Sequence, residues 1–142
     1  MAAPVSRREI VTRTQRIFLR PDGIVQTVNV SKVEQTVDDA RANVAASFEV
    51  GGCVRRPVYV DTTLPAPLSA QAQDYYASPE AAQVFTAVAI LATGTLGRII
   101  GNIFLGRKRS DVQMRLFESE EAAIAWLRGF QTHQPGPISP RT

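Results

Sequence analysis

The chain has 142 residues, 44% of them hydrophobic and 20% charged, with a formal net charge of +3. That length supports one domain whose core needs no covalent staple. One cysteine, Cys53, and one histidine, His133, exclude an intramolecular disulfide and a Cys/His zinc site.

The opening residues are small and polar, and residues 1–9 are expected to form a flexible N-terminus. They lack the apolar core of a secretory signal, so the expected compartment is the cytoplasm. Ile10–Leu19 and Ile24–Val30 are β-rich runs separated by Arg20-Pro21-Asp22-Gly23. Proline presets φ in that turn and glycine takes a positive φ, which predicts a β-hairpin. Thr36–Phe48 predicts a helix. Thr36 is its N-cap, Asp38 and Asp39 are solvated first-turn acids, and Val37, Ala40, Val44 and Phe48 form its inward stripe. Gly51-Gly52 stop it, and Pro57 opens the run Val58-Tyr59-Val60, an interior strand that ends at Asp61.

Pro65 and Pro67 hold the next loop irregular. Ser69 caps a short helix through Tyr76, and Ser78-Pro79-Glu80 starts another. Ala87–Leu105 is nineteen residues of mostly apolar character, near the minimum that crosses a bilayer. Arg98, Asn102 and three glycines interrupt it. It therefore reads as a buried strand near Ala87–Leu91, a turn at Ala92–Gly94 and a helix over Leu96–Leu105, with no membrane insertion. Val112–Phe117 is the last strand, with Val112, Met114 and Leu116 on one side. Ser119-Glu120-Glu121 cap a final helix whose stripe is Ala123, Trp126, Leu127 and Phe130. Residues 131–142 hold three prolines and are expected to be a disordered tail. The expected fold is α/β, a single domain over residues 10–130 with a mixed four- to five-stranded sheet in the order ββαβαβαβα.

Few residues carry chemistry. His133 lies in the tail, where no catalytic base can be held in place. Cys53 reads as a small buried hydrophobe. All but Lys32 and Lys108 of the 16 basic residues are arginines spread along the chain. No basic stripe alternates with aromatics, so nucleic acid is not an expected partner. Asp61 ends a central strand, where ligands of open α/β sheets bind, and it can equally cap the loop backbone at Thr63 or Leu64. Arg98 and Asn102 share one face of their predicted helix. They suit either a solvated edge or contact with an anion near a helix N-terminus.

FLRPDGIV, TVDDARANVAA, RRPVYVD, LGRIIGNIFLG and MRLFESEEAAIAWL, in that order, resemble segments of the SpoIIAA-like, STAS-type small bacterial proteins, in particular the STAS/SEC14 domain-containing branch. The resemblance spans about Ile10 to Phe130. It implies a STAS/SpoIIAA-like fold and a non-enzymatic binding or regulatory role in bacterial cytoplasmic signalling, exerted through protein–protein contacts. Anti-anti-sigma members carry a phosphorylatable serine in an Asp-Ser-Ser-Gly-like loop. Here Asp61-Thr62-Thr63 and Leu68-Ser69-Ala70 stand in that region, with Ser69 the positional match. The expected binding residues are Asp61, Thr62, Thr63, Ser69, Thr95, Arg98 and Asn102. No catalytic residue, metal or cofactor is expected. The expected partner is a protein, and a homo-oligomer is compatible with the sequence. The alternative is a small-ligand module, for a nucleotide or an apolar molecule, with a pocket of a few hundred cubic ångströms beside Arg98.

Overall fold

The structure is a computed structural model, and it describes residues 9–94 and 112–131. Six strands form one mixed sheet in sequence order: β1 (Glu9–Val11), β2 (Gln15–Leu19), β3 (Val25–Asn29), β4 (Arg56–Asp61), β5 (Phe85–Leu91) and β6 (Gln113–Phe117). β1, β2 and β3 pair antiparallel, and β3 to β6 pair parallel. The helices are α1 (Val37–Val50), α2 (Ala70–Tyr76), α3 (Pro79–Ala82) and α4 (Glu120–Gln131). The expected α/β, single-domain, mixed-sheet architecture is the one observed. The helix expected over Leu96–Leu105 lies outside the described residues.

The sheet has more strands than expected because the first β-rich run breaks in two. The Thr12 hydroxyl accepts from the backbone N–H groups of Thr14 (3.3 Å) and Gln15 (3.0 Å). That local turn reverses the chain and lays β1 antiparallel on β2. The expected hairpin follows. Gly23 has φ +86°, its N–H donates to the Arg20 carbonyl at 2.9 Å, and the Asp22 carboxylate accepts from the Ile24 N–H at 3.2 Å. A Cβ at Gly23 would lie 2.7 Å from Gln131 Nε2, because α4 ends against this turn. Gln131 Nε2 donates to the Asp22 carbonyl, and Arg128 pairs with the Asp22 carboxylate at 3.4 Å.

β5 is buried at every position but Thr86, which confirms an interior strand in the first half of the apolar run. No helix among the described residues is long and apolar enough to cross a membrane. Pro57 is tolerated near the start of β4, where the β4–β5 register shifts between Arg56 and Val58 and pairing with β3 begins only at Val58.

Alternation divides the core. On one face Ile17, Val25, Val58, Phe85, Val88 and Ile90 pack with Val44 and Val50 of α1 and with Ala81 and Ala82 of α3. On the other, Ile24, Tyr59, Ala87, Ala89 and Leu91 pack against Ala123, Ile124 and Leu127 of α4. The small side chains of Ala87 and Ala89 let α4 approach β5 closely. Beside them Trp126 packs between Phe117, tilted with centroids 5.6 Å apart, and Phe130, edge-on with centroids 4.8 Å apart.

α1 is capped as expected. Thr36 Oγ1 accepts from the Asp39 N–H (3.3 Å), and Asp39 accepts from the Thr36 N–H (2.9 Å), a reciprocal capping box. Its inward face differs from the expected one. Ala40 and Val44 are buried, but Val37 and Phe48 are only partly so, and Asp39, Asn43 and Ser47 are buried beside them. Asp39 is therefore not the solvated acid expected. It faces the β1–β2 turn, where Arg13 Nε and Nη2 reach it at 2.9 and 2.6 Å. Cys53 also departs from expectation, being exposed instead of buried. It closes the end of α1 with φ +62°, its N–H on the Phe48 carbonyl at 2.9 Å, and that left-handed turn carries its side chain away from the core.

Candidate functional site

The face of the sheet under α1 changes character along its length. Inward positions of β2 and β3 alternate, so Gln15, Ile17 and Leu19 share one face with Val25, Thr27 and Asn29. The pair at the carboxyl end of β3, Gln15 opposite Asn29, is polar. Above it α1 presents Asp39, Asn43 and Ser47, spaced four apart along one stripe. Gln35, just before the cap, and Tyr76, at the end of α2, complete a buried polar cluster.

The cluster satisfies itself. Asn43 Nδ2 donates to Tyr76 (3.1 Å), Thr14 (3.1 Å) and, more distantly, Gln35 (3.4 Å), while its Oδ1 accepts from Thr12 at 2.6 Å. The Tyr76 hydroxyl donates to Gln35 Oε1 at 2.7 Å. Desolvation pushes the Tyr76 phenol far above its usual range, more than the Asn43 hydrogen bond pulls it down, so it stays a neutral donor. Gln15 Nε2 donates to Asn29 Oδ1 (3.1 Å), and Asn29 Nδ2 donates to the Leu64 carbonyl (2.9 Å). This last bond draws the proline-rich loop over the sheet. The loop is also tied at Gln35, whose N–H donates to the Pro67 carbonyl (2.9 Å) and whose carbonyl accepts from the Ser69 N–H (3.0 Å).

Between this cluster, α1, the loop and the apolar part of the sheet lies a partly open cavity of about 100 Å³. The polar cluster walls one end through Gln15, Asn29, Gln35, Asn43 and Tyr76, and Val58, Val60, Phe85, Val88, Ile90 and Met114 line the apolar remainder. None of its described lining residues is charged. Thr27 stands on the floor, 4% exposed, and its hydroxyl has no hydrogen-bond partner. A volume many times the ~10–15 Å³ that one water requires leaves room for a small organic molecule.

Of the expected binding residues, Thr62 alone lines the cavity among those described, and its hydroxyl donates to the Leu91 carbonyl at 2.6 Å. Asp61 accepts from the Thr63 N–H (2.9 Å) and hydroxyl (2.6 Å), the loop-capping alternative weighed for it. Ser69 is the N-cap of α2, its hydroxyl accepting from the Ala72 N–H at 3.0 Å. The structure joins Asp61, Thr62 and Thr63 in one turn and places Ser69 at the start of α2. Thr95, Arg98 and Asn102 lie outside the described residues, as does His133. The polar cluster escaped the sequence reading. Its one sequence signal is polar residues at inward parity, Thr27 and Asn29 alternating with Val25, and the i, i+4 stripe Asp39, Asn43 and Ser47 flanking Ala40 and Val44.

A family model described as "Domain of unknown function (DUF7793)" matches residues 17–131. The chain belongs to this family. The match takes in every described element except β1 and the first two residues of β2, and so includes the whole described cavity lining but Gln15. No curated protein matches the chain. Among solved structures it is similar to an uncharacterized protein of the DUF3478 family from Shewanella loihica PV-4. The two are 18% identical, with 85% of this chain and 91% of that one covered, at a TM-score of 0.46. That protein is described as having a SpoIIAA-like fold, the fold that the sequence resemblance implies here.

Proposed function

We propose that the protein is a non-enzymatic binding module whose ligand is a small, mainly apolar molecule held between the sheet and α1. The observation that carries this reading is the cavity, apolar over most of its wall and lined at one end by a self-satisfied polar cluster. A module acting through protein contacts alone needs a surface and has no use for internal space, and a void left empty forfeits packing. The described lining also favours an apolar molecule over a nucleotide. A nucleotide needs cations or clustered N–H donors for its phosphates, and the described lining is uncharged. The described residues of the wall offer amide, hydroxyl and phenol groups without an acid–base pair among them, which supports binding over catalysis. Regulation of a protein partner would then follow from occupancy, since α1, α2 and the loop over residues 62–68 all border the cavity.

Titration with benzene, followed by backbone amide NMR, tests the reading. Saturable shifts are expected around Val58, Val60, Val88 and Ile90, and Ala66→Leu, which adds bulk to the lining, should weaken them. Absence of saturable shifts in the wild-type protein would overturn it.

A further inference from the structure

The walls of the cavity are held with unequal strength. The sheet is bound by its ladders, and α1 is held at its start by the Thr36–Asp39 capping box and the Arg13–Asp39 pair. The loop after β4 is tied at its two ends. The Thr62 N–H and hydroxyl both donate to the Leu91 carbonyl, at 3.1 and 2.6 Å, and Pro67 and Ser69 bond the two backbone groups of Gln35. Between those ties, residues 63–66 make one hydrogen bond beyond their own turn among the described residues: the Leu64 carbonyl accepts from Asn29 Nδ2 at 2.9 Å. The Thr63 N–H and hydroxyl turn back on Asp61, and Pro65 has no N–H to offer. Pro65 and Ala66 nonetheless line the cavity. A wall segment with so few ties opens more readily than a paired strand or a packed helix.

We infer that residues 63–66 are the door of this cavity and that Asn29 is its latch. This rests on the cavity reading above and adds how a ligand enters and leaves. The latch is oriented by its neighbour on β2. Asn29 Oδ1 accepts from Gln15 Nε2 at 3.1 Å, which leaves Nδ2 as the end of the amide that meets the loop. Releasing the Leu64 carbonyl loses one neutral hydrogen bond, and water meets that carbonyl once the segment swings out. The ties at Thr62 and at Gln35 flank the segment and act as its hinges. Pro65 and Pro67 restrict φ between them, so the strap moves as a flap and not residue by residue. α1 is the poorer door. It carries Val44 and Val50 into the core and cannot swing away without unpacking it.

The test is benzene exchange, with association and dissociation rates taken from amide NMR line shapes in the wild-type protein, Asn29→Leu, Pro65→Gly and Arg13→Met. Asn29→Leu removes the latch at similar volume, and Pro65→Gly loosens the strap without touching the latch. Each should raise the association and dissociation rates together by roughly three- to tenfold, the worth of one neutral hydrogen bond or of one freed backbone position. Kd should stay within about threefold, because a door changes the barrier and not the bound state. Arg13→Met releases α1 from the β1–β2 turn and should leave both rates within about twofold. If Asn29→Leu does not fold, Pro65→Gly decides alone. A rise in dissociation without a rise in association would make Asn29 a lining contact and overturn the latch. If benzene binds but neither loop variant raises the rates, or Arg13→Met raises them as much, the door is elsewhere and the cavity reading stands. If benzene does not bind the wild-type protein, both fall.

Discussion

Replacing Thr27 by valine should make the empty protein more stable, although it removes a polar group that the native sequence retains. The two side chains share shape and β-branching, so strand propensity and χ1 restriction are nearly unchanged. What changes is the hydroxyl, which is buried without a partner. An unmet buried polar group costs about 1–3 kcal/mol. Imperfect packing of the new methyl returns part of that, which leaves a gain of about 0.5–1.5 kcal/mol. For a domain of this size the gain corresponds to a rise in Tm of roughly 1–6 °C. Urea denaturation should show a higher midpoint with unchanged slope. Thr14→Val is the matched control. Thr14 is 1% exposed and its hydroxyl accepts from Asn43 Nδ2 at 3.1 Å, so the same chemical change should lower stability by about 1–2 kcal/mol. An unchanged or lower midpoint for Thr27→Val would refute the reasoning, because the hydroxyl would then have a partner within the fold. A gain would show that the fold carries an unmet buried hydroxyl at this position.

Asn43→Ala should cost about 2–4 kcal/mol in urea denaturation, since it strands Thr14 and loosens Tyr76 and Gln35 together; a loss below about 1 kcal/mol would show that the cluster is not cooperative. The Asp39 carboxyl is held at about 2 instead of 3.8, chiefly by its Arg13 hydrogen bond against the opposing effect of burial, with help from the Thr36 N–H. A folded-state value below the unfolded one gives stability that is complete above about pH 4 and is lost as pH falls through about 2. The Tm gap between wild type and Asp39→Asn should therefore be constant near neutrality and close between about pH 4 and 2, and a gap that widens on acidification would contradict the ion pair. Cys53 is exposed, so a thiol reagent should modify one equivalent in the native protein without added denaturant, and protection would place the side chain back in the core.

What the sequence determined by itself is what short-range chemistry controls. The Thr36, Ser69, Ser78 and Ser119 caps, the Arg20–Gly23 turn and the interior strand through Ala87–Leu91 are legible because each rests on residues a few positions apart, or on a simple run of burial. The inward stripes of β6 and α4 follow the same periodicity. Tertiary structure decided the rest. Asp38 and Asp39 look alike as first-turn acids, and only the arrival of Arg13, 26 residues earlier in the chain, makes one of them a buried partner. Asn43 reads as an unremarkable helix residue until Thr12, Thr14 and Tyr76, up to 33 positions away, converge on it. Cys53 is small and apolar enough for a core, but a left-handed turn at the end of α1 directs it to solvent. The cavity is the furthest from sequence of all. It is the space left when α1, α2 and a proline-rich loop are held off the sheet by buried amides and hydroxyls that must keep their hydrogen bonds, and packing of that kind exists only once every element is in place.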